Sequence, residues 1–357
     1  MTLDNVDRIM RGGVDSGVFP GAVLQVVADN RTVFNQAYGS ADLFCGRPMT
    51  LDTFFDLASL TKPLATVPAV MVLVQRGQLD LDQCIGDILP DITGCGKERI
   101  TLRQLLNHSS GLPAWRPFFM GLRNIPIPSR LALLRRRLLA EPFASRPGRK
   151  SEYSDLGYML LQWVVEILSG QSLDQFVSHE IYAPLCIENL SFNNANQPVS
   201  GPHQYAATQL CPWRNKLMVG QVDDDNAYVT GGVAGHAGLF GTADAVSRLL
   251  HGLLAADRGD SDSGVFNPNL VHAFFEAPPN QRWALGFDTP SPQGSSAGQY
   301  FSSRSVGHLG FTGTSFWMHR QKGIIVVLLT NRVHPWRFNP GIKAFRPRLH
   351  DAVMRAL

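Results

Sequence analysis

The chain has 357 residues, of which 44% are hydrophobic and 17% charged, and its formal net charge is +3. That length supports a large core divided between two lobes, since domains average roughly 150 residues. The one dense basic run, at residues 135–137, lies inside a leucine-rich segment and is typical of the solvated face of an amphipathic helix. Because the sequence contains no basic stripe with interleaved aromatic residues, we exclude nucleic acid as the main partner.

The cysteines and the N-terminal residues bear on the compartment. Five cysteines, without a C-x-x-C pair, favour a reducing compartment and buried thiols over a disulfide framework. The first residues include Asp4 and Asp7 and lack the apolar segment of a secretory signal. The longest apolar run, at residues 67–74, is too short to span a bilayer. We therefore expect a cytoplasmic protein with no membrane insertion, and the oligomeric state stays open.

The N-terminal part alternates between helical and strand patterns. Apolar residues at helical spacing over 3–14 predict a first helix. Residues 22–28 indicate a mostly buried strand, and residues 32–38 indicate its hairpin partner. A long apolar helix is expected over residues 59–75, so the chain enters a helical region there.

The middle of the chain, up to residue 230, has a helical and loop-rich pattern. Capping boxes that begin at Thr101 and Ser172 each predict the start of a helix. Further helices are expected over 129–140 and 155–168, and a long loop over 194–235. This region therefore predicts a mainly helical lobe.

The last third returns to strand patterns between two helices, at 243–256 and 345–357. Strands are expected at residues 283–287, 303–309, 314–319 and 324–329. Strands at both ends of the chain with helices between them predict an α/β (α+β) fold. Its antiparallel sheet is built from both termini and flanked by helices. The sheet lobe would comprise residues 1–60 and 235–357, and the inserted helical lobe would comprise residues 61–234. The site is expected in the cleft between the two lobes.

The segment from Asp56 to Pro63 contains a serine and a lysine three residues apart. On a helix, Ser59 and Lys62 would lie on the same face. A serine hydroxyl needs a base within hydrogen-bond reach to become a nucleophile, and a lysine with a lowered pKa can be that base. This is the S-x-x-K pattern of β-lactamases and penicillin-binding proteins. The alternative is a helix-capping serine beside a solvated lysine.

Two further segments carry candidate chemistry. Tyr153, at the start of a predicted helix, could direct its hydroxyl into a cleft, and a nearby Lys62 would lower its phenol pKa and make it a proton shuttle. The alternative is a core tyrosine beside a helix cap. The glycine-rich segment 307–313 would let another backbone or a substrate approach a strand closely, or it is a bulged edge strand with an incidental histidine.

Taken together, these segments resemble the serine hydrolases of the class C β-lactamase type. This group is related to penicillin-binding proteins and also contains D,D-peptidases, D-aminopeptidases and esterases. The resemblance runs through most of the chain and is specific because several modest motifs occur in the right order. It rests on residues 19–22, 59–62, 105–112, 153–155, 231–239, 307–310 and 328–332.

The resemblance implies a role for each matching residue. Ser59 would attack the substrate carbonyl and form an acyl-enzyme, while Lys62 and Tyr153 would take its proton and pass it to the leaving group. The backbone N–H groups of Ser59 and Phe311 would form the oxyanion hole, and water would then attack with Tyr153 as base. Roles in substrate binding and the oxyanion hole fall to Phe311, His308, Gly310 and Asp155. The resemblance implies neither a metal nor an organic cofactor.

Two positions depart from the pattern of many β-lactamases. His308 stands where they carry a lysine, and an imidazole that is mostly neutral at pH 7 does not hold a substrate carboxylate as a fixed cation does. Asp155 stands where they carry an asparagine, and an ionised carboxylate cannot donate a hydrogen bond to a substrate carbonyl. It could instead pair with Lys62 and keep that amine protonated. Both departures weaken the case for efficient turnover of β-lactams or of peptidoglycan peptides.

Three other patterns are candidate sites with weaker support. The G-x-S-x-G match at 294–298 lacks the strand and helix that a nucleophile elbow requires. Residues 223–226 are acidic, but in EF-hand register Tyr228 and Ala234 occupy the positions of the required glycine and glutamate, so we expect a solvated loop. His236 is interpreted as a loop-packing histidine rather than a catalytic one, and the histidine spacings give no zinc motif.

The leading hypothesis is therefore an esterase or amidase that acts on small neutral acyl substrates through Ser59. A second hypothesis is a β-lactamase or a carboxypeptidase of the D-Ala-D-Ala type. A third, from another class, is a non-catalytic binding protein that keeps the fold. The expected partner is a small-molecule ester, amide or β-lactam substrate.

Overall fold

The computed structural model describes residues 3–89, 92, 94–197, 199, 201–260, 264–278 and 281–357. Its helices are α1 Leu3–Asp15, α2 Val67–Gln75, α3 Leu102–Leu106, α4 Phe118–Leu122, α5 Ile127–Ala140, α6 Asp155–Ser169, α7 Leu173–Val177, α8 Asp225–Val229, α9 Ala243–Arg258, α10 Pro268–Phe275 and α11 Ile342–Ala356. Its strands are β1 Gly21–Ala28, β2 Arg31–Asp42, β3 Arg47–Pro48, β4 Phe55–Asp56, β5 Leu190–Phe192, β6 Ala207–Cys211, β7 Lys216–Val219, β8 Leu239–Gly241, β9 Val306–Leu309, β10 Ser315–His319 and β11 Ile324–Thr330.

The main sheet joins the two ends of the chain. Its 6 strands run in the order β3-β2-β1-β11-β10-β9, and neighbouring strands pair antiparallel. At its centre, β1 pairs with β11 in a register that sets Leu24 opposite Leu328. The predicted sheet built from both termini is therefore confirmed.

Both faces of this sheet are covered. All seven residues of β11 are buried, and successive side chains of a strand point to opposite faces. Val326 and Leu328 pack in one cluster with residues of α1 and α11, whereas Val327 and Leu329 pack in another with residues of α9. A strand buried on both faces has a continuous apolar sequence, which explains the uninterrupted run in β11.

The candidate serine lies in a helical segment that leads into α2. A 3-10 turn, Ala58–Leu60, is followed by a π-helical turn, Lys62–Thr66, and then by α2. The whole segment, Ala58–Gln75, is long and apolar enough to cross a membrane, longer than the run recognised in the sequence. However, 83% of it is buried inside the protein, as is typical of the core helix of a soluble protein.

Some local expectations were correct and others were wrong. The capping box at Thr101 is present, with both reciprocal hydrogen bonds. Ser172 is the N-cap residue of α7, but its side chain makes no capping hydrogen bond in the described part of the chain. Residues 283–287, expected as a strand, instead form a bend closed by a bridge between Trp283 and Asp288, because Gly286 turns the chain with a φ of +92°.

Two wider expectations need correction. The predicted loop 194–235 contains the β6–β7 hairpin and the short helix α8. All five cysteines are free, as expected, but Cys45 and Cys186 are exposed rather than buried. The division into a sheet lobe and an inserted lobe over 61–234 stays a prediction, and β5 of the insert pairs with β8 outside it.

We predict that Leu24→Ala destabilises the fold strongly. Leu24 is fully buried at the centre of the sheet, and removing a buried leucine side chain costs about 2–5 kcal/mol of unfolding free energy. The matched control is Leu210→Ala, because Leu210 is a strand leucine that is 38% exposed. Urea denaturation of both variants measures the difference, and equal midpoints would contradict the described packing.

Candidate active site

Ser59 lies in a backbone turn held by neighbouring polar groups. Ala58, just before it, has a left-handed φ of +48°, a strained conformation for a residue with a side chain. The N–H of Ala58 donates to Oδ1 of Asp56 at 2.8 Å. Thr314, at the other side of the site, donates from its hydroxyl to the carbonyl of Leu57 at 3.1 Å. These contacts fix the strained turn that presents Ser59.

Asp56 is a buried acid that supports this turn and a neighbouring loop. Its Oδ2 accepts a hydrogen bond from the N–H of Asp223 at 2.6 Å, and its carbonyl accepts one from the Thr312 hydroxyl at 2.7 Å. Burial, followed by the nearby charge of Asp223, raises the pKa of Asp56 to about 7. The segment before Ser59 is thereby tied to two distant parts of the chain.

Lys62 is the centre of the polar contacts around Ser59. Its side chain is fully buried, and its Nζ donates to Ser59 Oγ at 3.0 Å, to Asp155 Oδ1 at 2.7 Å and to the carbonyl of His236 at 3.1 Å. Burial lowers the pKa of Lys62, and the charge of Asp155 opposes that shift. The alternative of a capping serine with a solvated lysine is therefore wrong.

Tyr153 completes the group, although its electrostatics differ from the expectation. Tyr153 and Ser59 line the same cavity, and Lys62 Nζ lies 4.7 Å from the centre of the Tyr153 ring. The predicted fall of its phenol pKa is wrong: burial, and then the charge of Asp155, raise that pKa well above its ordinary value. Tyr153 is therefore held as a neutral phenol that can both donate and accept.

His308 and Phe311 occupy different settings beside Ser59. His308 is buried, and its Nδ1–H donates to the carbonyl of Leu309 at 3.0 Å. Burial, followed by the charge of Lys62, lowers the pKa of His308 to about 3, so the ring is neutral. Phe311 is 51% exposed, and its carbonyl accepts a hydrogen bond from Arg332.

Gly310 occupies a position that no side chain could share. A Cβ there would collide with the Thr314 hydroxyl and the carbonyl of Leu57. The close approach brings the end of β9 against the turn that carries Ser59, as the glycine pattern predicted. The oxyanion-hole role of the Ser59 and Phe311 N–H groups stays a prediction.

These groups share one cavity of about 710 Å³. Its wall includes Ser59, Tyr153, Asp155, His308, Gly310 and Phe311, so the structure brings together the site residues expected from the sequence. Lys62 reaches Ser59 from the protein interior.

Sequence reasoning missed the acidic wall of this cavity. Asp223 and Asp225 are buried and pair with Arg337, while Asp225 also pairs with Arg214. The expected solvated loop is therefore wrong, because the arginines that compensate these carboxylates come from other parts of the chain. The only feature of the sequence that pointed to this wall is the run of aspartates at residues 223–225.

His236, interpreted from the sequence as a loop-packing histidine, is a buried residue beside this cavity. It is 1% exposed and lies on the wall of the cavity, where its Nε2 is 3.0 Å from Asp224 Oδ1. The glycine-rich stretch around it was the only sequence signal. Among the residues that the structure describes, no group of three or more His, Cys, Asp or Glu side chains is arranged to hold a metal ion.

The sequence is similar to those of known proteins over most of its length. The sequence model of the Beta-lactamase family matches residues 6–345. An N-acetylmuramyl-L-alanine amidase of Bacillus subtilis (strain 168) is 33% identical over 93% of this chain and 81% of its own length. A putative D-alanyl-D-alanine carboxypeptidase of Escherichia coli (strain K12) is 31% identical over 93% of this chain and 82% of its own length.

Among solved structures, EstCE1, a hydrolase with promiscuous acyltransferase activity, shares the fold with a TM-score of 0.77 and 22% identity. The match covers 98% of each chain. The chain therefore belongs to the Beta-lactamase family and is a serine hydrolase of that family.

We predict that Asp155→Asn moves the pH dependence of acylation to lower pH. The charge of Asp155 raises the pKa of Lys62 against the effect of burial, so its loss lowers that pKa. The amine then becomes neutral at a lower pH, and the acidic limb of the acylation rate shifts in the same direction. Stopped-flow measurement of the first turnover across pH reports this limb.

The control for this variant is Glu152→Gln, which removes a neighbouring carboxylate that pairs with Lys150 at the surface. We expect its acylation profile to match that of the unmodified protein. A shift of the Asp155→Asn limb to higher pH would show that the carboxylate does not support the protonated amine.

Proposed function

We propose that the chain hydrolyses esters or amides of small neutral acyl groups through an acyl-enzyme on Ser59. The observation that carries the proposal is the buried contact of Lys62 with both Ser59 Oγ and Asp155 beside the cavity. A buried amine in contact with a serine hydroxyl is the arrangement that activates a serine without a histidine.

The geometry supports a sequence of steps for acylation. Ser59 Oγ attacks the substrate carbonyl, and its proton passes to Lys62 in the neutral amine form, which burial favours by lowering the pKa of Lys62. Tyr153, held as a phenol, relays a proton to the leaving group by accepting on one side and donating on the other. The N–H groups of Ser59 and Phe311 would stabilise the oxyanion.

The charges of the cavity support a neutral acyl group. Both arginines among its described lining residues are engaged: Arg282 forms two hydrogen bonds of 2.6 Å to Asp288, and Arg337 pairs with Asp223 and Asp225. His308 is neutral. A substrate carboxylate would therefore meet carboxylates without a free cation from this lining, an unfavourable arrangement in a cavity of low dielectric constant.

A second candidate activity comes from the relatives. Their names describe an N-acetylmuramyl-L-alanine amidase and a putative D-alanyl-D-alanine carboxypeptidase, at 33% and 31% identity. The amidase activity agrees better with this cavity, because a peptide ending in D-alanine presents a carboxylate next to the bond that is cleaved. A non-catalytic binder is disfavoured, since it has no need of Ser59, Lys62 and Tyr153 in contact. A cytoplasmic location remains a prediction.

We predict that Ser59→Ala abolishes hydrolysis of a short-chain p-nitrophenyl ester and leaves the fold intact. The variant lacks the hydroxyl that forms the acyl-enzyme. The matched control is Ser296→Ala, which removes the serine of the G-x-S-x-G match. That serine lies among the turns of residues 289–305, so the control should keep full activity.

The same assay with a chromogenic cephalosporin separates the substrate classes. Ester turnover that depends on Ser59, with little cephalosporin turnover, supports the proposed function. Turnover retained by Ser59→Ala would contradict the acyl-enzyme, and faster turnover of the cephalosporin than of the ester would contradict the preference for neutral acyl groups.

We predict that His308→Lys increases acylation by an anionic β-lactam. A lysine restores a cation beside Ser59, and a charge-assisted hydrogen bond contributes about 1.5–3 kcal/mol, which corresponds to a rate increase of about 10–100-fold. The control is His308→Gln, which keeps a neutral polar side chain. Equal acylation rates of the two variants, measured by stopped flow, would refute the argument from the missing cation.

A further inference from the structure

A buried arginine holds the turn between β9 and β10 from the side of α11. Arg346 lies in the first turns of α11 and is 5% exposed. Its Nη2 donates to the carbonyl of Gly310 at 3.3 Å and to the carbonyl of Thr314 at 2.7 Å. These two residues are the ends of the turn that carries Phe311. Arg346 therefore bridges the turn that packs against the segment of Ser59.

The charge of Arg346 lacks the compensation that buried arginines usually have. In the described part of the chain its hydrogen bonds go to carbonyls and not to a carboxylate, and its buried Nε has no partner there. Burial, followed by the like charge of Arg332, lowers the pKa of Arg346 to about 9, so the guanidinium stays protonated at neutral pH. Because an uncompensated buried cation is costly, its position calls for an explanation.

The carbonyl of Gly310 belongs to the same peptide unit as the N–H of Phe311. That peptide is trans, so its C=O and its N–H point in opposite directions. Arg346 reaches the carbonyl from α11, whereas Gly310 and Phe311 line the cavity together with Ser59. Holding the carbonyl on the side of α11 thus directs the N–H of Phe311 away from that helix and towards the cavity.

This N–H is available to a ligand. Among the described residues, no backbone hydrogen bond has the N–H of Phe311 as its donor. A cation that binds the carbonyl of a peptide also polarises that peptide, which makes its N–H a stronger donor. Arg346 therefore affects both the direction and the strength of the N–H to which the oxyanion role is assigned.

Neutral contacts set the shape of the same turn. The N–H of Gly313 also donates to the carbonyl of Gly310 at 3.1 Å, and the N–H of Gly310 donates to the carbonyl of Thr314 at 2.7 Å. The hydroxyl of Thr312 donates to the carbonyl of Asp56 at 2.7 Å. These bonds would keep the turn folded without the arginine, so a change at Arg346 tests its charge and its hold on one peptide.

We infer that Arg346 is a positioning residue of the oxyanion hole, which aims and polarises the N–H of Phe311 by holding the carbonyl of Gly310. This inference rests on the proposed acyl-enzyme of Ser59. When Ser59 Oγ bonds to the substrate carbon, negative charge develops on the carbonyl oxygen, and the N–H of Phe311 stabilises it. The same charge develops again when water attacks the acyl-enzyme. Loss of Arg346 should therefore slow acylation and deacylation alike.

The test is Arg346→Met, whose long unbranched side chain lacks both donor and charge. With p-nitrophenyl butyrate, kcat should fall about 100-fold, the lower end of the loss that follows removal of an oxyanion donor. The first release of p-nitrophenol and the steady-state rate should fall by similar factors, because both steps pass through an oxyanion. KM should accordingly stay within about threefold of its original value.

Butylboronic acid provides a readout that a merely structural role would not move. It forms a tetrahedral adduct with a nucleophilic serine, and one oxygen of the adduct occupies the oxyanion site. Its inhibition constant should rise in Arg346→Met by a factor close to the fall in kcat. Arg346→Lys keeps a cation that can bind a carbonyl, so it should restore kcat and the inhibition constant to within about tenfold of the unmodified protein.

The matched control is Arg348→Met, because Arg348 is an exposed arginine of the same helix. Its kcat and its inhibition by butylboronic acid should be unchanged. A folded Arg346→Met protein that keeps its kcat would overturn the inference. A rise in KM at unchanged kcat, or a fall in kcat without loss of affinity for the boronic acid, would overturn it as well.

A further variant keeps the test decisive if Arg346→Met does not fold. Arg346→Gln keeps a neutral donor of shorter reach, so kcat and the affinity for butylboronic acid should both fall at least about tenfold. Retention of both would overturn the role of Arg346. Ser59→Ala separates the two proposals: turnover retained without Ser59 overturns the acyl-enzyme itself, whereas turnover that needs Ser59 but not Arg346 overturns only the positioning role.

Discussion

The burial of a single amine is the constraint on which this structure depends. Removing a charged lysine from water costs several kcal/mol unless partners replace its hydration. The three oxygens that do so for Lys62 belong to Ser59 in the preceding turn, to Asp155 at the start of α6, and to His236 in the loop before β8. Because these partners are distant in sequence, the site forms only when sheet, helices and loop are all in place.

Sequence patterns predicted the parts of the site that are local. The spacing of Ser59 and Lys62 sets their contact, and the position of Tyr153 just before α6 directs it towards the cleft. The apolar run of β11 likewise predicted a buried strand. In each case the relevant neighbours are a few residues apart or follow from a repeating period, so the sequence contains enough information.

The errors concern properties set by residues far away in the chain. The expected proximity of Lys62 to Tyr153 led to the prediction of a lowered phenol pKa, but the burial of Tyr153 raises that pKa instead. The aspartates at 223–225 indicated a solvated loop, yet Arg337, more than a hundred residues later, compensates two of them. The contacts of His236 with Asp224 and with Lys62 are likewise tertiary, so the sequence did not predict them.

The paired arginines of the cavity also affect the departure of the product. Hydrolysis converts a neutral ester or amide into a carboxylic acid that ionises at neutral pH. The newly formed anion would lie among Asp155, Asp224 and Asp288, with Arg282 and Arg337 already bound to carboxylates. If the substrate is the proposed neutral ester or amide, the same wall would repel its acid product, which would favour release and oppose the back reaction from the free acid.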